Sequence, residues 1–146
     1  KKILNSKNNE KIVLPSDHVI ADTPDSSPEF SEDQNISDEK MGLDIGEKTI
    51  FSYSQICGNS KTVLWNGPMG LFEKESFAKG TFSIASALSE SPDCFSLVGG
   101  GDSVSAVNKS GLAHKMGHIS TGGGASLEYI EKGTLVGIQA LKHGLK

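Results

Sequence analysis

Residues 97–107, LVGGGDSVSAV, decide how this chain is read. An apolar run ends in three glycines, and a run with helical spacing begins at once. Residues 118–130, HISTGGGASLEYI, repeat the pattern. Glycine loses more backbone entropy on folding than any other residue, so six of them at two strand-to-helix turns need a reason. One is structural: tight turns and close helix packing. The other is chemical. A helix entered through glycine leaves N–H groups bare and adds the partial positive charge of its dipole. A single triplet carries little weight, since no lysine follows as in GxxxxGK[ST] and GxGxxG is absent from a first βα unit. Two triplets at equivalent strand ends favour a phosphate site, with a polyphosphate as the natural occupant.

Working outward, 94–98 and 118–120 read as strands, while 102–109 and 125–133 read as helices, the latter the final one. Upstream, 62–65 is a buried strand stopped by Asn66-Gly67-Pro68. In 75–91, Phe77, Thr81, Ile84, Ala85 and Leu88 share one helical face. Gly42 and Gly46 mark turns, and Thr49 is placed to cap a helix holding Ile50, Tyr53 and Ile56. Residues 12–14 and 18–21 are β-prone, broken at Pro15-Ser16-Asp17. Between them and Gly42, residues 23–40 are polar, acidic and twice interrupted by proline. They read as a surface insert, a long surface loop or mobile excursion anchored by Phe30 and Ile36. Strands alternating with helices predict an α/β fold: a parallel sheet with helices on both faces, Rossmann-like and three-layered (α/β/α). Ligands of such sheets gather at the carboxyl ends of the strands. The turns 66–70, 99–101 and 122–124 all fall there.

Composition bounds the rest. At 146 residues, with 36% hydrophobic and 22% charged, the chain can bury one domain's core. Its net charge is −4 and its cations are all lysine, which argues against a nucleic-acid partner. No apolar run approaches the about eighteen residues of a membrane span, and no signal peptide opens the chain. It starts at Lys1, which suggests an internal position of a longer protein. Cys57 and Cys94 lack CxxC spacing and read as reduced thiols of a cytosolic protein. The four histidines form no metal-binding pair.

Residues 64–75, LWNGPMGLFEKE, admit two readings. Trp65, Met69, Leu71 and Phe72 form either a packed loop or one wall of a planar apolar slot. In the second case Glu73 offers a carboxylate to a ribose hydroxyl, and Asn66 bonds a base or a neighbouring backbone. Asp102 is likewise either the N-cap of its helix or a ligand-binding group, and Ser103 and Ser126 could be ordinary first-turn residues.

Together these segments resemble the phosphoglycerate kinases. The likeness runs through LPSDHVIAD, MGLDIGEKT, TVLWNGPMGLFE, FAKGT, LVGGGDSVSAV, HISTGGGASLEYIEKG and the closing GIQALK, in the family's order. It covers nearly the whole chain except the polar insert. The resemblance implies one part of a two-domain enzyme, in which an arginine-rich N-terminal domain holds 3-phosphoglycerate and a C-terminal domain holds ADP or ATP. Residues 1–146 match the later part of the C-terminal domain, with 23–40 as an insert. The family's lysine-bearing GGAK-type segment and its entire N-terminal domain are not matched.

Carried over, Glu73 resembles the ribose ligand, and Asn66 and Pro68 sit at the nucleotide loop. Gly42 and Leu43 match the adenine side. Gly100, Gly101, Asp102 and Ser103 match the phosphate-side turn, with Asp102 directed at Mg²⁺. Gly122, Gly123 and Gly124 match the amides that meet the phosphoryl group in transit. Glu39-Lys40 replace a common Gly-Trp, and Glu47 stands where proline is frequent. The implied activity is reversible transfer between 1,3-bisphosphoglycerate and ADP, a glycolytic step with a carboxyl group as phosphate acceptor. It implies a cytoplasmic enzyme, monomeric when complete, and an inactive fragment. The alternatives are a non-catalytic nucleotide- or phosphate-binding α/β module, or a structural piece whose glycines serve turns.

Overall fold

The computed structural model describes residues 9–144. Lys1, on which the expectation of an internal start rests, lies outside them. Strand β5 (Phe95–Gly99) runs between β4 (Thr62–Asn66) and β6 (His118–Ser120), parallel to both. The registers Trp65↔Val98 and Val98↔Ile119 bring apolar residues side by side, so one face of the sheet is continuous oil. Helices α2 (Lys79–Ser89) and α3 (Gly101–Lys109) cover that face. Ile84, Ala85, Leu88 and Val107 join Trp65 and Val98 in one core cluster. Leu97 points the other way, toward α4 (Gly123–Lys132) and α5 (Val136–His143), across a shallow apolar hollow. The α/β layering thus follows the sequence reading.

Four features differ from it. A second sheet, antiparallel in the order β2-β1-β3, stands beside the parallel one. It comprises β1 (His18–Ala21), β2 (Glu29–Ser31) and β3 (Met41–Ile45). Gly42 lies inside β3, next to a bulge that skips Leu43 between the pairs Val19↔Asp44 and Ile20↔Gly42. Residues 12–14 form no strand, because no neighbour pairs with them; Tyr53 instead donates its hydroxyl to the Val13 carbonyl. The polar insert contributes β2, yet Phe30 is 69% exposed and anchors nothing, while Ile36 packs over Gly42. Residues 136–143 add a helix beyond the expected last one.

Helix α1 (Glu47–Gly58) packs along α2, but its buried side is Thr49, Tyr53 and Cys57, with Ile56 turned outward. Its N-cap is Gly46, not Thr49. The cap comes from another segment. Asp17 accepts the amides of Lys48 (2.9 Å) and Thr49 (2.8 Å), and the Thr49 hydroxyl at 2.6 Å. Asp44 does the same for α2, where Oδ2 accepts the Gly80 amide at 2.7 Å. Two buried carboxylates, Asp17 just before β1 and Asp44 in β3, therefore complete the first turns of two helices, a charge placement the helix dipole favours.

Candidate functional site

The two glycine triplets meet. Gly99 and Ser120 end neighbouring strands, and the chain turns from each directly into a helix. The Gly100 amide donates to the Ser120 carbonyl at 3.2 Å. Gly100 has φ +94°, which an L side chain rarely tolerates. A methyl built on Gly123 would lie 2.5 Å from the Gly100 Cα. These two glycines are required by turn shape and by backbone touching backbone.

Gly101 and Gly124 are not. Neither has a positive φ, and a methyl on either would meet nothing within 4 Å. Both stand exposed in the first turn of a helix with no side-chain cap, where glycine costs helix stability. The first N–H groups of α3 and α4 have no intrahelical partner. The pair of turns thus presents bare donors and positive helix ends at the carboxyl edge of the sheet. Such an arrangement is chemically suited to receive an anion.

The loop 66–73 is built against the same edge and is pinned throughout. The Asn66 amide donates to the Gly123 carbonyl at 3.3 Å, bridging the loop to the second triplet. The Gly67 amide donates to the Ser103 hydroxyl at 2.6 Å, and Trp65 Nε1 donates to the Gly67 carbonyl at 2.7 Å. Thr81 Oγ1 accepts the amides of Met69 and Gly70, and the Leu43 carbonyl accepts that of Leu71. Lys109 donates to the carbonyls of Phe72 and Glu73, each at 3.0 Å.

This loop and β3 enclose a cleft of about 550 Å³. Gly42, Leu43, Pro68, Glu73 and Asp102 all line it, with apolar walls from Ile36, Met69 and Phe72. Trp65 is not among them: it is 4% exposed and belongs to the core, so the loop is both packed and cleft-forming. Buried Asp44 also lines the cleft. Burial pushes its carboxyl up to about 6, against the Gly80 and Ile45 amides, which lower it. Glu73 and Asp102 are exposed, and neither carboxylate has a hydrogen-bond or ion-pair partner among the described residues.

The expected residues therefore fall into two adjoining groups. Gly42, Leu43, Pro68, Glu73 and Asp102 share the cleft; Asn66, Gly100, Ser103 and Gly123 form the turn cluster beside it. Asp102, next to Gly101, joins them. Gly122–Gly124 do not line the cleft itself. Asp102 is not the N-cap of α3; Gly100 is. Ser103 is buried and holds the loop from behind. The sequence reading placed Thr81 only on a helix face and did not single out Lys109 or Asp44. Only Asp44 left a signal: an acid at a core-facing position of a strand.

A family model described as phosphoglycerate kinase matches residues 1–133. The phosphoglycerate kinase of Clostridioides difficile (strain 630) is 52% identical over 132 residues, and that of Clostridium botulinum is 54% identical. Each alignment covers 89% of this chain and 33% of the relative, so the chain spans about a third of their length. The structure of phosphoglycerate kinase from Coxiella burnetii superposes with a TM-score of 0.79 at 35% identity, covering 86% of this chain and 34% of that one. The enzyme from Pyrococcus horikoshii OT3 gives 0.76 at 31%, covering 94% and 34%. With touching glycine turns, a pinned WNGPMG loop and a family match over most of its length, the chain belongs to the phosphoglycerate kinase family.

Proposed function

We propose that residues 1–146 form the later part of the nucleotide-binding domain of a phosphoglycerate kinase and carry much of its ADP/ATP site. The reaction is reversible phosphoryl transfer between 1,3-bisphosphoglycerate and ADP, giving 3-phosphoglycerate and ATP, in the cytoplasmic pathway of glycolysis. One observation supports this most: Gly101 and Gly124 have no internal reason to be glycine, yet both open uncapped helices where the two turns touch. A ligand that must approach both backbones supplies the reason.

On this reading the adenine end lies over Gly42 and Leu43, and Asn66 and Pro68 shape the loop beside it. Glu73 accepts from the ribose hydroxyls. Gly100, Gly101 and Asp102 meet the nucleotide phosphates, with Ser103 holding the loop in register. The amides at Gly122, Gly123 and Gly124 donate to the phosphoryl group in transit, that of Gly122 exchanging its 3.2 Å bond to the Ser120 hydroxyl for it. The acceptor is a carboxylate or phosphate oxygen already ionised at neutral pH, so no general base is needed and catalysis is positioning plus charge neutralisation. Asp102 fits one role in holding Mg²⁺: it is unpaired, exposed and at the cleft wall. No cluster of three or more His, Cys, Asp or Glu among the described residues could hold a metal unaided. Magnesium commonly takes one or two carboxylates plus substrate phosphates, and when bound it neutralises their charge. The glycerate substrate and the closing motion belong to the N-terminal domain of the same protein.

A coupled assay tests this. The complete protein should form ATP from ADP and 1,3-bisphosphoglycerate. Residues 1–146 alone should not, because holding both substrates in line is worth roughly 7–11 kcal/mol. In the complete protein Asp102→Asn should cut turnover at least about tenfold with an unchanged melting temperature. A complete protein that binds ADP without transferring phosphate would leave the binding-module reading standing.

A further inference from the structure

We infer that Lys109 is a positioning residue for the nucleotide's ribose, acting through the backbone of Phe72 and Glu73. The inference rests on the nucleotide reading above. Lys109 stands in the last turn of α3, and its ammonium donates to both carbonyls at 3.0 Å. It also lies 6.0 Å from the centroid of the Phe72 ring. That ring is buried in a cluster with Ala106, one turn earlier on the same helix. The rest of the loop is tied elsewhere: Met69 and Gly70 to Thr81, Leu71 to β3. The Lys74 amide donates to the Leu71 carbonyl at 3.0 Å and closes a turn around Glu73, while the Glu73 carbonyl itself is left to Lys109. Among the described residues, Lys109 is what accepts the task of fixing the Glu73 carbonyl.

The consequence for Glu73 is specific. Its side chain is exposed and has no partner among the described residues, so no neighbouring group aims it. Its direction follows from its backbone, which the Leu71–Lys74 turn and the Lys109 ammonium hold together. Helix α3 also carries Ser103, which takes the Gly67 amide, and Asp102, which lines the cleft. One rigid element therefore grips the loop at both ends and carries the phosphate-side acid. Asp102 and Lys109 are separated by seven residues, about 10 Å of helix axis. The spacing between ribose-side and phosphate-side contacts is set by that length. A lysine that only satisfied two carbonyls would steady the loop; one that aims Glu73 changes how ribose is held, and these differ in what they do to a nucleotide without hydroxyls.

The test is steady-state kinetics on the complete protein with ADP and with 2′,3′-dideoxy-ADP. With ADP, Lys109→Met should raise KM about tenfold and leave kcat and the KM for the glycerate substrate unchanged, the mark of lost ground-state binding. With dideoxy-ADP, the same variant should match the wild type, since no hydroxyl remains for Glu73 to take. Lys109→Arg, which keeps a cation with several donors, should restore most of the ADP affinity. An equal rise in KM for both nucleotides would overturn the inference in favour of simple loop support. If Glu73→Ala weakens ADP but not dideoxy-ADP and Lys109→Met does neither, only the inference falls. If the enzyme is active and Glu73→Ala is silent, the ribose assignment falls and takes the inference with it.

Discussion

At Gly100 and Gly123 the two turns meet through bare backbone, whereas Gly101 and Gly124 face open space, and this difference separates packing from chemistry one residue at a time. Gly123→Ala must push apart two backbones that have nowhere to retreat. Its expected cost is about 1–3 kcal/mol of stability, as for other overpacked positions. Gly124→Ala adds a methyl that touches nothing and replaces a poor helix former by the best one. It should leave the melting temperature equal or higher while turnover falls, because on the proposed reading the methyl occupies the space a phosphoryl oxygen takes. Thermal melts and the coupled assay on both variants check this. A Gly124→Ala protein with full turnover would mean that nothing approaches that backbone.

At the scale of elements, Asp17 before β1 and Asp44 in β3 cap two helices, and their pKa values are shifted in opposite directions. For Asp17, burial raises the carboxyl, but the Thr49 hydroxyl and the Lys48 and Thr49 amides outweigh it, so its pKa is lowered. Its contribution is present above the unfolded value of 3.8 and is lost as pH falls through the lower folded value. Asp44 is raised to about 6, so its contribution is present below 3.8 and is lost as pH rises through about 6. Urea midpoints should therefore fall between pH 4 and 7 in the wild type. In Asp44→Asn, which has no charge to desolvate, that fall should flatten. An unchanged slope would show that Asp44 does not titrate there. These caps also show what a sequence can disclose. The parallel strands, α2, α3 and the glycine turns were legible because their periods and punctuation are local. So was the placing of Asn66, Glu73 and Asp102 along one edge, since they stand in the quoted motifs. Thr49 was read as a cap because it precedes a helical pattern; the true cap lies 32 residues away. Lys109 was invisible for the same reason, since its partners are backbone atoms 36 and 37 residues distant. Short antiparallel pairings such as β1–β2 leave too little alternation to be seen.

At the scale of the whole molecule, the parallel sheet is covered unevenly. Among the described residues, β4 and β6 each pair on one side only. Phe95 is 52% exposed, and Ile130, Val136 and Leu141 on α4 and α5 stand more open still. An unpaired strand beside exposed apolar surface invites association. Residues 1–146 alone should scatter light and bind a hydrophobic dye, and the remainder of the protein added in trans should suppress both. A chain that stays monomeric and dye-free would show that this surface needs no cover. The buried indole has a separate consequence. The chain holds one tryptophan, Trp65, packed in the core with its N–H bonded to the Gly67 carbonyl at the root of loop 66–73. Its fluorescence is an internal reporter, blue-shifted while the loop is seated and moving to the red when water reaches the ring. The loop can be followed in real time, without a label, by light.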